Sequence, residues 1–162
     1  MSNDPLLRGA RGERHLLLGN EAIVRGALEA GVHMVSCYPG TPSSEVADTF
    51  LRLGGEGRYR LEYSINEKVA MEVAAGGALG GAMSLVAMKH VGLNVAADPL
   101  FTSAYIGLPG GLVVLTADDP GCHSSQNEQD NRHYARFASL PCFEPVSAQE
   151  AKEMTREAFR LA

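Results

Sequence analysis

The sequence is poor in the residues that several classes of protein require. It has no Trp and only 3 Cys in 162 residues. Cys37, Cys122 and Cys142 form no CxxC pair, so they define neither a disulfide framework nor a zinc or iron–sulfur site. Reduced thiols are the simplest interpretation of the three cysteines, and they favour a cytoplasmic location.

Basic clusters and long apolar runs are also missing. The net charge is −5 and no run of Lys and Arg occurs, which argues against a nucleic-acid surface because phosphate binding needs clustered cations. No apolar run reaches the roughly 18 residues that indicate a membrane span. The amino terminus has no continuous apolar segment of the kind a secretory signal needs. We therefore expect neither a nucleic-acid partner nor a membrane partner, whereas a basic protein partner stays open.

The remaining composition is that of an ordinary globular domain. Hydrophobic residues make up 45% of the chain and charged residues 20%, and a chain of this length buries one core without disulfides or metals. Residues 1–14 are rich in Gly and Arg and are predicted to form a mobile tail. Residues 15–162 contain no linker or internal repeat, so they are predicted to form one domain, with order beginning at His15.

Apolar strand patterns alternate with helical patterns along this domain. The predicted strands cover residues 32–37, 59–63, 82–88, 110–117 and, briefly, 142–144. The predicted helices are capped by Asn20, by Ser43 or Ser44, by Asp98 before Pro99, and by Ser147 with Glu150; two more begin near Glu67 and cover about 126–140. This alternation predicts an α/β fold, a doubly wound parallel sheet with helices on both faces.

Polar loops follow four of these strands, at residues 38–44, 64–67, 88–94 and 118–125. They should share one edge of the sheet, where α/β proteins bind ligands. Glu67 is the leading catalytic candidate, because it begins a helix directly after a strand. The helix behind it carries Ala70, Ala74 and Ala78 at four-residue spacing beside several glycines, and this small-residue face predicts close packing against a neighbouring domain or subunit.

Structural roles compete with these functional ones. Thr41, Ser43 and Ser44 are residue types that cap helices, and Glu67 in a first helical turn is favoured by the macrodipole. Lys89 and His90 are also consistent with a solvated strand end.

Two other kinds of site are disfavoured by the sequence. Asp118, Asp119, Cys122, His123 and Ser124 invite a metal site or a catalytic triad, but residues so close in sequence seldom converge in catalytic geometry. No metal ligand is therefore assigned in this chain. Nucleotide binding of the GxGxxG or P-loop kind is excluded because neither motif occurs, and the glycines near residue 80 lie inside a predicted helix.

Four motifs, in order and with compatible spacing, resemble one known family. They are YPGTPSSE (38–45), NEKVAMEVAAG (66–76), MKHVGLNVAADPL (88–100) and ADDPGCHSSQNEQD (117–130). Together they resemble the amino-terminal domain of the large subunit of indolepyruvate ferredoxin oxidoreductase, within the wider 2-oxoacid:ferredoxin oxidoreductases. The resemblance extends from about Leu16 to the end of the chain. It implies a thiamine diphosphate-binding fold of the pyrimidine type.

The resemblance also implies a chemistry. A glutamate at the position of Glu67 would hydrogen-bond a ring nitrogen of the cofactor's aminopyrimidine and favour the tautomer that deprotonates the thiazolium carbon. Residues implied to border the cofactor are Tyr38, Pro39, Gly40, Thr41, Lys89, His90 and Asn94. Those implied, more weakly, to border the substrate are Thr41, Ser43 and His123. The implied reaction is oxidative decarboxylation of indolepyruvate or another aryl pyruvate to an acyl-coenzyme A, with ferredoxin as the electron acceptor.

Parts of such an enzyme are not in this sequence. It has no GDG signature for the magnesium ion that holds the diphosphate, and its cysteines do not match ferredoxin-like iron–sulfur motifs. A partner domain or subunit is thus expected to hold magnesium, iron–sulfur clusters would lie in partner domains, and ferredoxin would meet the complete complex. The chain is expected to be a fragment or a separate subunit, inactive alone and part of a homo- or hetero-oligomer. Two alternatives are a non-oxidative thiamine diphosphate decarboxylase subunit and a catalytically silent assembly domain.

Overall fold

The computed structural model describes residues 4–7, 12–54 and 58–162. It contains a four-stranded, entirely parallel sheet in the order β2-β1-β3-β4. The strands are β1 (Met34–Cys37), β2 (Arg60–Tyr63), β3 (Ser84–Lys89) and β4 (Leu112–Ala117). The predicted α/β fold with a parallel sheet is therefore confirmed.

Helices cover both faces of the sheet, as predicted. They are α1 (Gly19–Ala30), α2 (Ser44–Leu53), α3 (Glu67–Leu79), α4 (His90–Val95), α5 (Ala97–Ile106), α6 (Arg132–Ala138) and α7 (Ala148–Leu161). Alternate residues of the central strand β3 belong to two different cores, one on each face of the sheet. Leu85 and Ala87 belong to a core with α1, α2 and α7. Val86 and Met88 belong to a second core with α3, α4 and α5. No helix among the described ranges is long and apolar enough to cross a membrane.

Four helix ends are fixed by glycines or by capping side chains, and the cap at Ser147 is the one predicted above. Gly31 and Gly54 end α1 and α2 in the left-handed conformation, with φ of 82° and 70°, which glycine adopts without steric cost. The Asn66 side chain caps α3 by accepting from the Val69 N–H at 2.9 Å. Ser147 caps α7 by accepting from the Glu150 N–H at 3.2 Å. Side-chain capping and positive φ are local properties, so each of these ends depends on residues close to it in sequence.

The predicted cap at Asn20 is wrong, because α1 already begins at Gly19 after Leu18. The Asn20 amide instead donates to the Pro42 carbonyl at 2.9 Å and to Glu45 Oε2 at 2.8 Å. A residue that looked like a local cap therefore makes a long-range tether between α1 and the loop after β1.

Three other expectations differ from the structure. The loop predicted at 88–94 contains the short helix α4, and the helix predicted over 126–140 is limited to Arg132–Ala138. Residues 142–144 are exposed coil rather than a strand, because a strand needs a hydrogen-bonded neighbour and an open cleft separates them from β4. Leu6, which lies in the predicted tail, is 2% exposed and belongs to the first core; the tail and the domain boundary at 15 stay predictions. Residues 1–3 and 8–11 lie outside the described part of the chain.

The alanine face of α3 does not point to a neighbouring domain. Ala70, Ala74 and Ala78 are each 0% exposed and pack under the protein's own sheet. The Ser36 hydroxyl donates to the Ala70 carbonyl at 2.6 Å, and the Gly110 N–H donates to the Ala78 carbonyl at 2.9 Å. The small residues were correctly predicted to allow close packing against α3. The segments that pack there belong to this same domain rather than to a neighbouring one.

A similar close approach joins α1 to α7. A Cβ added to Gly26 would lie 2.5 Å from the Lys152 carbonyl oxygen, which is backbone and cannot rotate away. We expect Gly26→Ala to lower the free energy of unfolding by about 1–3 kcal/mol, the usual cost of overpacking. Thermal melts would measure this, with Gly19→Ala as the control on the same helix, since its added Cβ meets nothing within 4 Å. Equal melting temperatures for the two variants would contradict the packing described here.

Candidate functional site

The candidate site lies at the carboxyl edge of the sheet, between β1 and β3. After β1 the chain crosses to β2 on one side, whereas after β3 it crosses to β4 on the other. Such a reversal leaves a crevice between the two adjacent strand ends, and α/β proteins bind ligands in it. The loop at 38–44 and helix α4 form its two walls, and Glu67 follows the neighbouring strand β2.

Glu67 is the first residue of α3 and contacts α4 at Gly92. Its side chain is half-buried, and Gly92 is buried. A Cβ added to Gly92 would lie 2.6 Å from Glu67 Cγ and 2.7 Å from Glu67 Oε1. Within the described ranges, the Glu67 carboxylate has no hydrogen-bond or ion-pair partner. A carboxylate held in place by packing, with its oxygens unpaired, is available to a ligand.

Lys89 connects one wall of the crevice, the loop at 38–44, to the loop after β4. A Cβ added to Gly40 would lie 2.9 Å from Lys89 Cδ, so the lysine stem packs directly on the loop after β1. The Lys89 ammonium donates to the Ser124 carbonyl at 2.9 Å. Ser43 is 3% exposed and its hydroxyl donates to the Gly40 carbonyl at 2.7 Å, which gives it a structural contact within the same loop.

The other loop residues predicted to border a cofactor lie at the surface. Tyr38, Pro39 and Thr41 are exposed along the loop after β1. Cys37, the last residue of β1, is buried, and burial together with the charge of Asp48 raises the pKa of its thiol to about 12. Because the thiol stays protonated at neutral pH, Cys37 is not a thiolate nucleophile.

His90 is fully buried beneath the loop at 118–131. Its Nε2 lies 3.0 Å from the Asn127 carbonyl oxygen, which only accepts, so Nε2 carries the proton and donates. Its Nδ1 is buried with no partner among the described residues. The imidazole therefore supports the overlying loop, and its predicted contact with a cofactor stays a prediction.

An amide network that the sequence analysis missed fastens this loop to α4. The Gln129 Nε2 donates to the His90 carbonyl at 2.9 Å, to Asn94 Oδ1 at 3.0 Å and to Asn131 Oδ1 at 2.7 Å. The Asn131 amide in turn donates to Thr116 Oγ1 at 2.6 Å. Asn94, predicted to border the cofactor, is thus engaged by the loop. The signal available in the sequence was the amide-rich run QNEQDN after β4.

The segment at 118–125 is stabilised by its own hydrogen bonds. The Ser125 hydroxyl and the Ser124 N–H both donate to Asp119 Oδ2 at 2.7 Å, and these bonds lower the pKa of the Asp119 carboxyl. His123 is exposed and packs against Gly121. No hydrogen bond or ion pair among the described residues joins His123 to Glu67, and the geometry of this segment is that of a folded loop rather than a triad.

Removing the amide of Gln129 should loosen the loop. The three hydrogen bonds donated by Gln129 Nε2 and the two accepted by its Oε1 would be lost. We therefore expect Gln129→Ala to destabilise the protein by about 1–3 kcal/mol and to speed amide exchange over 118–131. Exchange measured by mass spectrometry tests this. Gln126→Ala is the matched control because Gln126 is exposed in the same loop; similar exchange in both variants would show that Gln129 does not fasten it.

A doubly wound parallel sheet with an unpaired carboxylate at its switch point defines a ligand-binding α/β domain. Comparison with known families specifies the class further. Residues 25–162 match the family described as pyruvate flavodoxin/ferredoxin oxidoreductase, thiamine diphosphate-binding, and the chain belongs to this family. The resemblance inferred from the four sequence motifs is therefore confirmed.

Individual relatives agree with this assignment. The chain is 57% identical to the indolepyruvate oxidoreductase subunit IorA of Archaeoglobus fulgidus, over 100% of this chain and 26% of that protein. It is 29% identical to the 2-oxoglutarate synthase subunit KorA of Methanothermobacter marburgensis, over 93% of this chain and 42% of that protein. The chain thus spans about a quarter of the length of its IorA relatives.

A solved structure supports the fold. The 2-oxoglutarate:ferredoxin oxidoreductase from Magnetococcus marinus superposes with a TM-score of 0.72 at 20% identity, over 90% of this chain and 26% of that one. At a sequence identity this low, the match shows only that the two proteins share a fold.

Proposed function

We propose that this chain forms the pyrimidine-binding half of a thiamine diphosphate site in a 2-oxoacid:ferredoxin oxidoreductase. The observation that carries the proposal is the unpaired Glu67 carboxylate, packed on Gly92 at the switch point of a family domain that binds thiamine diphosphate. The likeness to subunits named for indolepyruvate supports an aryl pyruvate as the substrate and an acyl-coenzyme A as the product. The reduced-thiol interpretation supports a cytoplasmic location.

The residues present fit the aminopyrimidine of the cofactor. When bound, thiamine diphosphate supplies the carbanion and electron-sink chemistry of decarboxylation. Glu67 would hold a proton at a ring nitrogen, and Gly92 would leave the space that this carboxylate needs. The loop at 38–41 and Lys89 would form the walls that orient the ring and exclude water.

Other parts of the enzyme would come from outside residues 1–162. We assign the magnesium ion and the diphosphate to a partner domain, because the GDG signature does not occur in this sequence. We also assign the iron–sulfur clusters and the docking of ferredoxin to partner domains, because this sequence has no suitable cysteine pattern. The active form would therefore be an oligomer or a larger polypeptide.

Calorimetric titration of thiamine diphosphate into the 162-residue chain, with and without magnesium, tests this division of the site. We expect weak binding that magnesium does not strengthen, and no oxidation of indolepyruvate by this chain alone. Tight, magnesium-dependent binding would contradict the proposal. In the complete enzyme, product formation that requires coenzyme A and an electron acceptor would distinguish the oxidoreductase from a non-oxidative decarboxylase.

A further inference from the structure

The loops at the carboxyl edge of the sheet contain a single Lys or Arg residue, Lys89. No other occurs in residues 38–44, 64–67, 88–94 and 118–131. Two cations directly follow these loops, and both are paired with acids. Lys68 lies 3.1 Å from Asp98, and Arg132 lies 2.8 Å from Asp130. Positive charge for a ligand at this edge would therefore come from Lys89.

The Lys89 ammonium has no ion-pair partner within the described part of the chain. It donates to the Ser124 carbonyl at 2.9 Å, which is a neutral acceptor. The acids of the overlying loop are bonded to its own backbone, since the Ser124 N–H donates to Asp119 at 2.7 Å and the Gly121 N–H donates to Glu128 at 3.0 Å. An ammonium has three N–H donors, so two remain for a ligand.

The protein fold holds the Lys89 side chain in position. A Cβ added to Gly40 would lie 2.9 Å from Lys89 Cδ and 3.1 Å from Lys89 Cγ, so the stem lies against backbone. The carbonyl that accepts from the ammonium is itself fixed, because the same residue, Ser124, is bonded to Asp119. A ligand would thus meet a cation that is already ordered, which lowers the entropic cost of binding.

Lys89 and Glu67 lie on opposite walls of the crevice. Glu67 begins α3 and contacts α4 at Gly92, whereas Lys89 packs on the loop at 38–44. Side chains alternate between the faces of a strand, so Lys89 projects to the same face as Ala87, the face of α1 and α2. Helix α3 covers the other face. A ligand in the crevice would therefore have a carboxylate on one side and an ammonium on the other.

The substrate class of the proposed function has the complementary charge. A 2-oxoacid carries its carboxylate directly on the carbonyl carbon that reacts. With the aminopyrimidine placed at Glu67, the substrate carboxylate is repelled by the Glu67 charge and attracted by a cation on the other wall. Lys89 is on that wall. Its contact would be with the group that all 2-oxoacids share, whatever side chain they carry.

We propose that Lys89 binds the carboxylate of the 2-oxoacid substrate, an inference that rests on the function proposed above. Two N–H groups of the ammonium donate to the carboxylate while the third stays on Ser124. This contact is made with the substrate and ends when the carboxylate leaves as carbon dioxide. It therefore contributes to substrate affinity and not to the rate of the chemical step.

Steady-state kinetics of Lys89→Met in the complete enzyme test this assignment. Methionine keeps an unbranched apolar stem against Gly40 but has no charge. We expect KM for indolepyruvate to rise by about 10–100-fold, the effect of losing a charge-assisted hydrogen bond, with kcat within about threefold of wild type. Lys152→Met is the control, since Lys152 is half-buried on α7 and lies 3.9 Å from Glu29; its KM should change by less than about twofold.

Two unreactive inhibitors distinguish carboxylate binding from a general disturbance of the pocket. Indole-3-propionate carries a carboxylate, and indole-3-propionamide has a similar shape without the charge. Lys89→Met should weaken inhibition by the propionate about tenfold or more and leave inhibition by the propionamide within about twofold. Equal changes for the two inhibitors, or an unchanged constant for the propionate, would overturn the proposal.

Titration of thiamine diphosphate into the complete wild-type and Lys89→Met enzymes keeps this inference separate from the proposed function. We expect equal cofactor affinity in the two proteins. A variant that loses cofactor affinity, with unchanged inhibition by the propionate, would assign Lys89 to the cofactor and overturn the inference alone. A wild-type enzyme that neither binds thiamine diphosphate nor decarboxylates a 2-oxoacid would overturn the proposed function and this inference with it.

Discussion

Replacing Glu67 with Gln is expected to lower turnover of the complete enzyme by at least about 100-fold, because a positioned acid–base group contributes about 10²–10⁴-fold. Glutamine keeps the shape that packs on Gly92 but could not share a proton with the ring nitrogen in the way we propose for the Glu67 carboxylate. Steady-state decarboxylation with saturating thiamine diphosphate measures the effect. Circular dichroism and thermal melts should show an unchanged fold.

Glu72→Gln is the matched control for this variant. Glu72 lies on the same helix, is exposed, and pairs only loosely with Lys68 at 3.9 Å, so its neutralisation should leave turnover within about twofold, as for most surface ion pairs. If Glu67→Gln retains the activity of Glu72→Gln, Glu67 has no part in the mechanism. That result would favour a catalytically silent domain.

Gly92→Ala should have the second largest effect. The new Cβ would lie 2.6–3.0 Å from three atoms of the Glu67 side chain, so the carboxylate must move. A displacement of about 1 Å at a reacting centre costs about 100-fold in rate, whereas the stability cost of such overpacking is only about 1–3 kcal/mol. We therefore expect a large loss of turnover in a protein that remains folded.

Gly76→Ala provides the comparison for a glycine in a helix. Gly76 lies on α3 with open space around its Cα, so alanine there should be neutral or stabilising by up to about 1 kcal/mol, through helix propensity. Activity should be unchanged. Comparable turnover in the Gly92 and Gly76 variants would show that the position of Glu67 is unimportant.

Local chemistry explains which parts of the fold could be predicted from sequence. Asn66, Ser147 and Gly31 mark helix ends through their own side chains or backbone freedom, and the alternation of strands and helices dictated the parallel sheet. Glu67 was placed correctly at a strand-to-helix junction because that junction is read from neighbouring residues.

Long-range contacts explain why other features could not be predicted from the sequence. Asn20 looked like a cap, yet it tethers a loop 22 residues away. The role of Gln129 depends on a helix nearly forty residues earlier in the chain, and no local pattern indicates it. The strand predicted at 142–144 would need a hydrogen-bonded neighbour, and an open cleft separates these residues from β4.

Lys89 has a further consequence for motion at the crevice. Its methylene groups bear on the loop after β1 while its ammonium binds the loop after β4, so one side chain joins two segments that are far apart in sequence. Neither loop can swing outward without breaking that shared link or dragging the other with it. Opening of this edge of the sheet would thus involve the loops after β1 and β4 together.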